Sequence, residues 1–278
     1  MEDKDIIKRE IAELQEIEMG ILKELIRICD ENGINYYLIE GSLLGAIRHK
    51  GMIPWDDDID VGMFRDDYER FLKIANSQAR APYKCLNYRD KEGYIDFITQ
   101  FVNTEKKVTT SYRQKDAVMN VWVDVFVIDG MPTNRIHHFF HKYRLLYRKL
   151  IMMWSNLDHY LVTGRQRSIK EKILIQFCKT MKLERYIDNY KALQKMDKAM
   201  INNNPDNTIN FMSEYKWRTE FPKAYYGEGR MVPFGDINVR IPNRGEDILT
   251  SLYGDYMELP PEDKRYKHSM KLIREDMI

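Results

Sequence analysis

Apolar side chains at Ile7, Ile11, Leu14, Ile21, Leu25 and Ile28 recur at three-, four- and seven-residue spacings. That period predicts a helix over residues 5–31 with one buried face, and Asn32-Gly33 supplies its stop signal. The pattern then shortens. The run INYYLI at Ile34–Ile39 predicts a strand, Gly41-Ser42 a turn, and Leu43–His49 a short helix. Ile59–Met63 predicts a second strand, and Asp66–Asn76 a second helix with Tyr68, Phe71, Leu72 and Ala75 on one side. Further strands are expected at Tyr83–Tyr88, Asp96–Val102 and Lys107–Tyr112. The strongest strand is VWVDVFVI at Val121–Ile128, whose near-continuous apolar run suits burial on both faces. Asp129-Gly130-Met131-Pro132 ends it with turn chemistry.

The pattern from there to about residue 203 is helical. Asn134 is the expected N-cap of a helix running to about Leu157, and Ser168–Met181 and Leu183–Asn202 follow it. Asn203-Asn204-Pro205-Asp206 breaks the last of these. Strand-turn-strand character returns at Met231–Ile241, a short helix at Glu246–Tyr253, and Leu259-Pro260-Pro261 ends regular structure. The predicted fold is mixed α/β (α+β): a core sheet with flanking helices, one catalytic domain over 1–278, and a helical insertion at 134–203.

Charge changes this picture in one place. The 278 residues carry a net charge of only +1, which by itself implies no polyanionic partner and no nucleic acid. Yet Gly130–Arg185 holds twelve Lys and Arg against three Asp and Glu, and Gly130–Leu157 has no acid at all. Along the first of these helices Phe140, Tyr143, Tyr147, Ile151 and Trp154 form an aromatic-apolar stripe among Arg135, Lys142, Arg144, Arg148 and Lys149. Two readings stay open: a basic helix lying on an anionic membrane surface, or a stripe packed on the core with solvated cations around it. Three widely spaced cysteines, Cys29, Cys85 and Cys178, make no metal knuckle or disulfide framework and fit a reducing compartment. The start MEDKDIIKRE lacks the apolar core of a signal peptide, and no apolar run reaches the roughly 18 residues that span a bilayer. A cytoplasmic protein, peripheral at most at the inner membrane face, is the expectation.

Candidate chemistry lies in Glu40–Gly62, EGSLLGAIRHKGMIPWDDDIDVG. A glycine turn between a strand and a helix start offers free N–H groups to a phosphate, although such turns are common. Asp56, Asp57, Asp58 and Asp60 put four carboxylates in five positions. In an extended chain Asp58 and Asp60 share a face while Ile59 and Val61 anchor the other. Like charges so placed repel unless a cation lies between them, and hard oxygen donors suit Mg²⁺ or Mn²⁺; a solvated acidic loop is the competing reading. Asp124, inside an apolar strand, is costly to bury without a partner. A shared metal site would supply one, as would an arginine or backbone donors.

The order Gly-Ser, an acid pair beginning 16 residues after Ser42, then a strand acid resembles the signature of the nucleotidyltransferase superfamily. The closer resemblance is to the LicD family, which includes the phosphocholine transferases and the fukutin-related proteins. Gly41–Gly51 (GSLLGAIRHKG) is similar to its GTLLGAxRHxG segment, Ile53–Asp60 to its IPWDDDID, and Asp124–Gly130 to its DIFPLDG with Val127 in place of the usual proline. Leu252–Met257 and Leu259-Pro260-Pro261 resemble its ending.

The resemblance implies a nucleotidyltransferase-like core and metal ligands at Asp58, Asp60 and Asp124. It implies a nucleotide- or phosphate-binding group at Gly41 and Ser42, joined on physical grounds by the cations Arg48 and Lys50, with Asp56 and Asp57 outside the first ring of ligands. Mg²⁺ or Mn²⁺ would be the cofactor. The implied reaction moves a phosphorylated alcohol, phosphocholine first among them, from CDP-choline or a related CDP-alcohol to a hydroxyl of a glycan or lipid-linked glycan, such as a lipopolysaccharide or teichoic acid precursor. A quaternary ammonium calls for an aromatic cage, for which Trp55, Trp122 and Trp217 are candidates; Lys216 is a weaker donor-binding candidate. The competing readings are a nucleotidyltransferase that uses an NTP on a small molecule, and a non-catalytic nucleotide- or glycan-binding module.

Overall fold

The computed structural model describes residues 2–90, 94–110, 117–161, 168–201, 206–262, 265 and 270–273. Helix α1 (Glu2–Glu31) leads into β1 (Tyr37–Leu38), α2 (Glu40–Leu44) and a π-helical turn (Gly45–His49). Then come β2 (Asp60–Phe64), α3 (Arg65–Gln78), β3 (Tyr83–Leu86), β4 (Thr99–Thr110) and β5 (Ala117–Gly130). Helices α4 (Arg135–Ser155), α5 (Leu157–Tyr160), α6 (Ile169–Thr180) and α7 (Asn189–Met200) precede β6 (Asn207–Ile209) and β7 (Phe221–Pro222). The hairpin β8 (Arg230–Phe234) and β9 (Ile237–Ile241), α8 (Gly245–Tyr253) and β10 (Met270–Leu272) complete the chain.

The main sheet has the order β1-β2-β5-β4-β10, with β3 also on β4 and β6-β7 extending from the end of β5. β2 and β5 run parallel and the other pairs antiparallel, so the sheet is mixed and flanked by helices. β5 is central, which explains its unbroken apolar run: Val121, Val123, Val125, Val127 and Ile128 are all buried. Helix α1 presents Leu14, Ile21, Leu22, Leu25 and Ile28 to the core. Leu22 and Leu25 are wholly inaccessible, and truncating such a residue to alanine costs about 2–5 kcal/mol.

Some sequence expectations are corrected. Ile34–Ile39 pairs only through Tyr37 and Leu38, because β1 is a short edge against Val61 and Gly62. The strands expected at Asp96–Val102 and Lys107–Tyr112 fall in one strand, β4, which begins at Thr99 and is irregular between Asn103 and Lys107. The Asn103 side chain accepts from Glu105 N and Lys106 N at 3.0 and 3.2 Å, so a polar stretch that predicts a break is a bulge. Residues 111–116 lie outside the described residues. Leu183–Asn202 is a 3-10 turn at Leu183–Arg185 and then α7, restarted by Asp188 accepting from Lys191 N; Asn202–Pro205 lie outside the described residues. The Asn134 cap forms, accepting from Ile136 N and His137 N. The buried face of α4, however, is His141, Leu145, Met152 and Ser155; of the predicted stripe Ile151 and Trp154 pack partly buried, while Phe140, Tyr143 and Tyr147 are exposed.

Candidate active site

The segment after β1 is built around two close approaches. Glu40 takes a left-handed φ of +50°, a strained conformation for a residue with a side chain, and opens α2. Gly41 and Ser42 are therefore helical, not the turn that the sequence predicts. A Cβ on Gly41 would come within 3.0 Å of an Asp56 carboxylate oxygen. One on Gly45 would stand 2.5 Å from the Gly51 carbonyl. Both glycines thus let the acidic loop close over the helix.

The acidic loop is held from three sides. Gln15 of α1 donates its amide to Ile53 O and Asp56 O at 2.9 and 2.8 Å. The Ser42 hydroxyl accepts from Asp60 N at 2.8 Å, which fixes the start of β2. Asp57 accepts from Met270 N at 3.3 Å. Because β2 and β5 are parallel with Asp60 opposite Asp124, and β4 places Gln100 opposite Asp124, three polar side chains line up across three strands. Gln100 Nε2 donates to Asp124 Oδ1 at 3.2 Å.

These elements surround a cavity of about 520 Å³. Among the described residues lining it are eight carboxylates, Glu40, Asp56, Asp57, Asp58, Asp60, Asp96, Asp124 and Glu214, and no lysine, arginine or histidine. Burial, and then the charges of Asp56, Asp57, Asp124 and Glu40, push Asp58 well above the usual carboxylate range. Burial, then Asp58, Glu40 and Asp124, do the same to Asp60. Burial and the Asp57 charge raise Asp56 to about 6. Burial raises Glu40 to about 7, although Ser213 and Asn210 hydrogen-bond it. So many confined carboxylates with no cationic side chain among them fit a divalent cation. The tightest set of oxygens is that of Asp56, Asp57 and Asp58, all within 4.8 Å of one another.

Asp58, Asp60 and Asp124 line one cavity together, and Gly41 lines it with them. Asp56 and Asp57 line it as well, whereas the sequence set them outside the first ring. The strand alternation assumed there begins only at Asp60, so the residues before it are free to turn inward. Ser42, Arg48 and Lys50 do not line the cavity. Ser42 is buried behind the strand it holds. Arg48 donates to the Tyr256 and Glu258 carbonyls at 2.6 and 3.3 Å, joining the π-helical turn to the chain after α8. Lys50 adopts a left-handed cap, and its carbonyl accepts from Gly235 N. Of the three tryptophans, Trp55 and Trp122 line the cavity with Phe126, Tyr215 and Tyr253. Trp217 is elsewhere, against Phe211 and under the Lys142 ammonium. The Lys216 side chain lies outside the described residues.

Several acids at the site escaped the sequence reading, Asp96 and Glu214 of the cavity wall among them, and two tell the most. Glu40 left its only trace as an acid between an apolar strand and a glycine. Glu18 of α1 is 1% exposed, and burial, followed by the charges of Asp58, Asp57 and Asp56, holds its carboxyl well above the usual range. One of its oxygens has no hydrogen-bond partner. A signal for it existed: Glu18 occupies the apolar stripe of α1 between Leu14 and Ile21, where helical period demands an apolar side chain.

Residues 33–179 match the family described as LicD/FKTN/FKRP, nucleotidyltransferase domain. The chain is 27% identical over 271 residues to the lipopolysaccharide cholinephosphotransferase LicD of Haemophilus influenzae, a match covering 95% of this chain and 97% of that protein. It is 36% identical over 55 residues to the human ribitol 5-phosphate transferase FKRP, 20% of this chain and 11% of that protein. To the human ribitol-5-phosphate transferase FKTN it is 28% identical over 108 residues, 37% of this chain and 20% of that one.

Proposed function

The chain belongs to the LicD/FKTN/FKRP nucleotidyltransferase family, whose members are transferases, and on that premise we propose that it moves phosphocholine from CDP-choline to a hydroxyl of a cell-surface glycan or its lipid-linked precursor. The observation that carries the reading is the composition of the cavity: eight carboxylates and a wall of Trp55, Trp122, Phe126, Tyr215 and Tyr253, without a basic side chain. Acid-rich walls recruit divalent cations, and aromatic faces favour a quaternary ammonium. The near end-to-end match to a cholinephosphotransferase supports the same donor.

Asp58, Asp60 and Asp124 would hold Mg²⁺ or Mn²⁺, with Asp56 and Asp57 beside them. Bound there, the cation would neutralise the donor phosphates and lower the pKa of the acceptor hydroxyl. The chain's own residues do the rest. Gln15, Ser42 and Gly41 keep the acidic loop closed on β2, so the carboxylates keep their places when the cation leaves. Gln100 fixes the orientation of Asp124. Glu40, raised to about 7 by burial and steadied by Asn210, is suited to take the proton of the acceptor hydroxyl near neutral pH. Donor phosphate would approach the cavity along Gly41. Ser42, Arg48 and Lys50 then act on nucleotide binding through the chain segments they hold.

Incubation with CDP-choline, CDP-ribitol or ATP, each with Mg²⁺ and glycan acceptors, separates the readings. CMP released from CDP-choline with transfer to acceptor is expected. Release of CMP from CDP-ribitol instead would move the assignment to the ribitol phosphate branch. Pyrophosphate from ATP would make the chain an NTP-using nucleotidyltransferase, and no product from any donor would leave a binding module.

A further inference from the structure

Helix α4 has two apolar faces, and only one is covered. His141, Leu145, Met152 and Ser155 are buried, and α4 packs chiefly on α7. On the opposite side Ile136, Phe139, Phe140, Tyr143, Leu146 and Tyr147 are between 40% and 66% exposed. At about 100° per residue these six fall within one arc of roughly 120°. Phe139 packs on Phe140 and Tyr143 at 5.7 and 4.6 Å, so the exposed rings form one continuous patch. Helix α6 repeats the arrangement: Ile175 and Cys178 pack with Trp154, Leu157 and Leu161, while Ile169, Ile173 and Phe177 are more than half exposed. A solvated helix has no use for such rings outside, because exposed apolar patches mark contact surfaces.

Charge decides what covers the patch. By the same helical geometry Arg135 lies beside one edge of this arc, the Arg148 guanidinium stands 5.5 Å from the centre of the exposed Tyr147 ring, and no acid occurs between Gly130 and Leu157. Arg144 is committed elsewhere, donating to Ala199 O at 2.8 Å and hydrogen-bonded to His141 Nδ1 at 3.0 Å. A protein partner of ordinary surface would meet this stripe with mixed charge. A lipid surface of negative charge meets it everywhere with the complementary sign, and accepts aromatic rings at headgroup depth. We propose that the outward face of α4 is a docking surface for an anionic lipid bilayer. It lies on the helix that follows directly from β5, the strand that carries Asp124.

The full chain is tested by co-sedimentation with vesicles of phosphatidylglycerol and phosphatidylcholine, and with phosphatidylcholine alone, at low and high salt. Two double variants are compared with the unsubstituted chain: Phe140→Glu with Tyr147→Glu, and Arg135→Glu with Arg148→Glu. All four positions lie outside the cavity lining, so thermal melting and CMP release with a soluble acceptor serve as controls for folding. The expected result is binding to the anionic vesicles, at least about tenfold weaker to the neutral ones and released by salt. Each double variant should lose at least about tenfold in partitioning while melting and turnover stay unchanged. No binding to anionic vesicles at low salt overturns the proposal, as does binding that both double variants retain. A dimer in sedimentation velocity that Phe140→Glu with Tyr147→Glu converts to monomer, without vesicle binding, would assign the face to a second copy of this chain instead. None of these outcomes depends on which donor the enzyme uses.

Discussion

At the end of β5, Asp129 meets the Arg65 guanidinium at 2.5 and 2.8 Å, and Arg65 also reaches Asp197 at 2.8 Å. Arg89 adds a second bond to Asp197 and two to Glu69. Five residues earlier on the same strand, Asp124 faces Asp60, with Asp58 and Glu40 near enough to raise one another's proton affinity. Both groups are withdrawn from water, but one is answered by two arginines and the other by none among the residues lining its cavity. In the first, burial pushes Asp197 up, but Arg65, Tyr88 and Arg89 outweigh it and hold the carboxyl low. In the second, hydrogen bonds from Ser213 and Asn210 to Glu40 do not outweigh burial, and Asp58 and Asp60 stand well above the usual carboxylate range. Buried acids whose proton affinity is raised in this way store a cost, and such costs are commonly kept where a ligand relieves them. The arginine network pairs its buried acids; the described lining of the cavity offers its acids no cationic side chain.

Removing one charge from each group tests this difference most strongly. Asp60→Ala and Asp124→Ala should each lower transfer by about a thousandfold or more, since the cation and the charge it neutralises would be lost. Their melting temperatures without metal should hold or rise, because a mutually repulsive acid has gone. Arg65→Ala should do the reverse in kind: a loss of about 3–5 kcal/mol in denaturant unfolding, because Asp129 and Asp197 stay buried without it. Near-normal turnover in Asp124→Ala, or unchanged stability in Arg65→Ala, would erase the distinction.

Divalent cation should likewise act on one region alone. EDTA should abolish turnover, and Mg²⁺ should raise the melting temperature of the unsubstituted chain but not that of Asp58→Ala. Full activity in a chelated preparation would contradict the role given to the carboxylates.

Glu40 and Asp197, one from each region, should also respond to pH with opposite sign. Glu40 goes from 4.5 to about 7 on folding, so between those values the folded chain holds a proton the unfolded chain has lost. Its contribution is complete below about pH 4.5 and disappears as pH rises toward 7. Asp197 is lowered by folding; its contribution is complete above its ordinary value of 3.8 and is lost as pH falls below it. Melting of the metal-free chain should therefore decline from pH 4.5 to 7, less steeply in Glu40→Gln. That variant should also lose the rise in turnover through neutral pH. An identical slope in both proteins would remove Glu40 from the titration.

The smallest effects are expected where a residue supports the cavity from outside. Ser42→Ala removes the acceptor of Asp60 N and should cost about 1 kcal/mol in stability, with a modest drop in turnover. Arg48→Ala should change turnover by only a few-fold, since its partners are the carbonyls of Tyr256 and Glu258. A loss as large as that of Asp60→Ala would place its guanidinium on the substrate.

Much of this was legible in the residues alone. The apolar period of α1, the apolar run of β5 and the Asn134 cap are local features, set by helical and strand geometry and by hydrogen bonds a few residues long. The segments Gly41–Gly51, Ile53–Asp60 and Asp124–Gly130 pointed to the family, because a motif is itself a statement about sequence. The bulge in β4 was not legible: whether a polar stretch breaks a strand or folds out of it depends on the neighbour that continues pairing. Nor was it visible that α1 would lay Glu18 behind Asp56–Asp58, that Glu40 would turn into the cavity, or that Arg48 would turn away from it. The same holds for α4, where period showed an apolar stripe but only packing decided that His141 and Leu145 face inward while Phe140 and Tyr147 do not. Local sequence fixes which face of an element is apolar and which residues carry charge. Which charges share one volume is decided by pairings between segments tens of residues apart, and no local rule contains that distance.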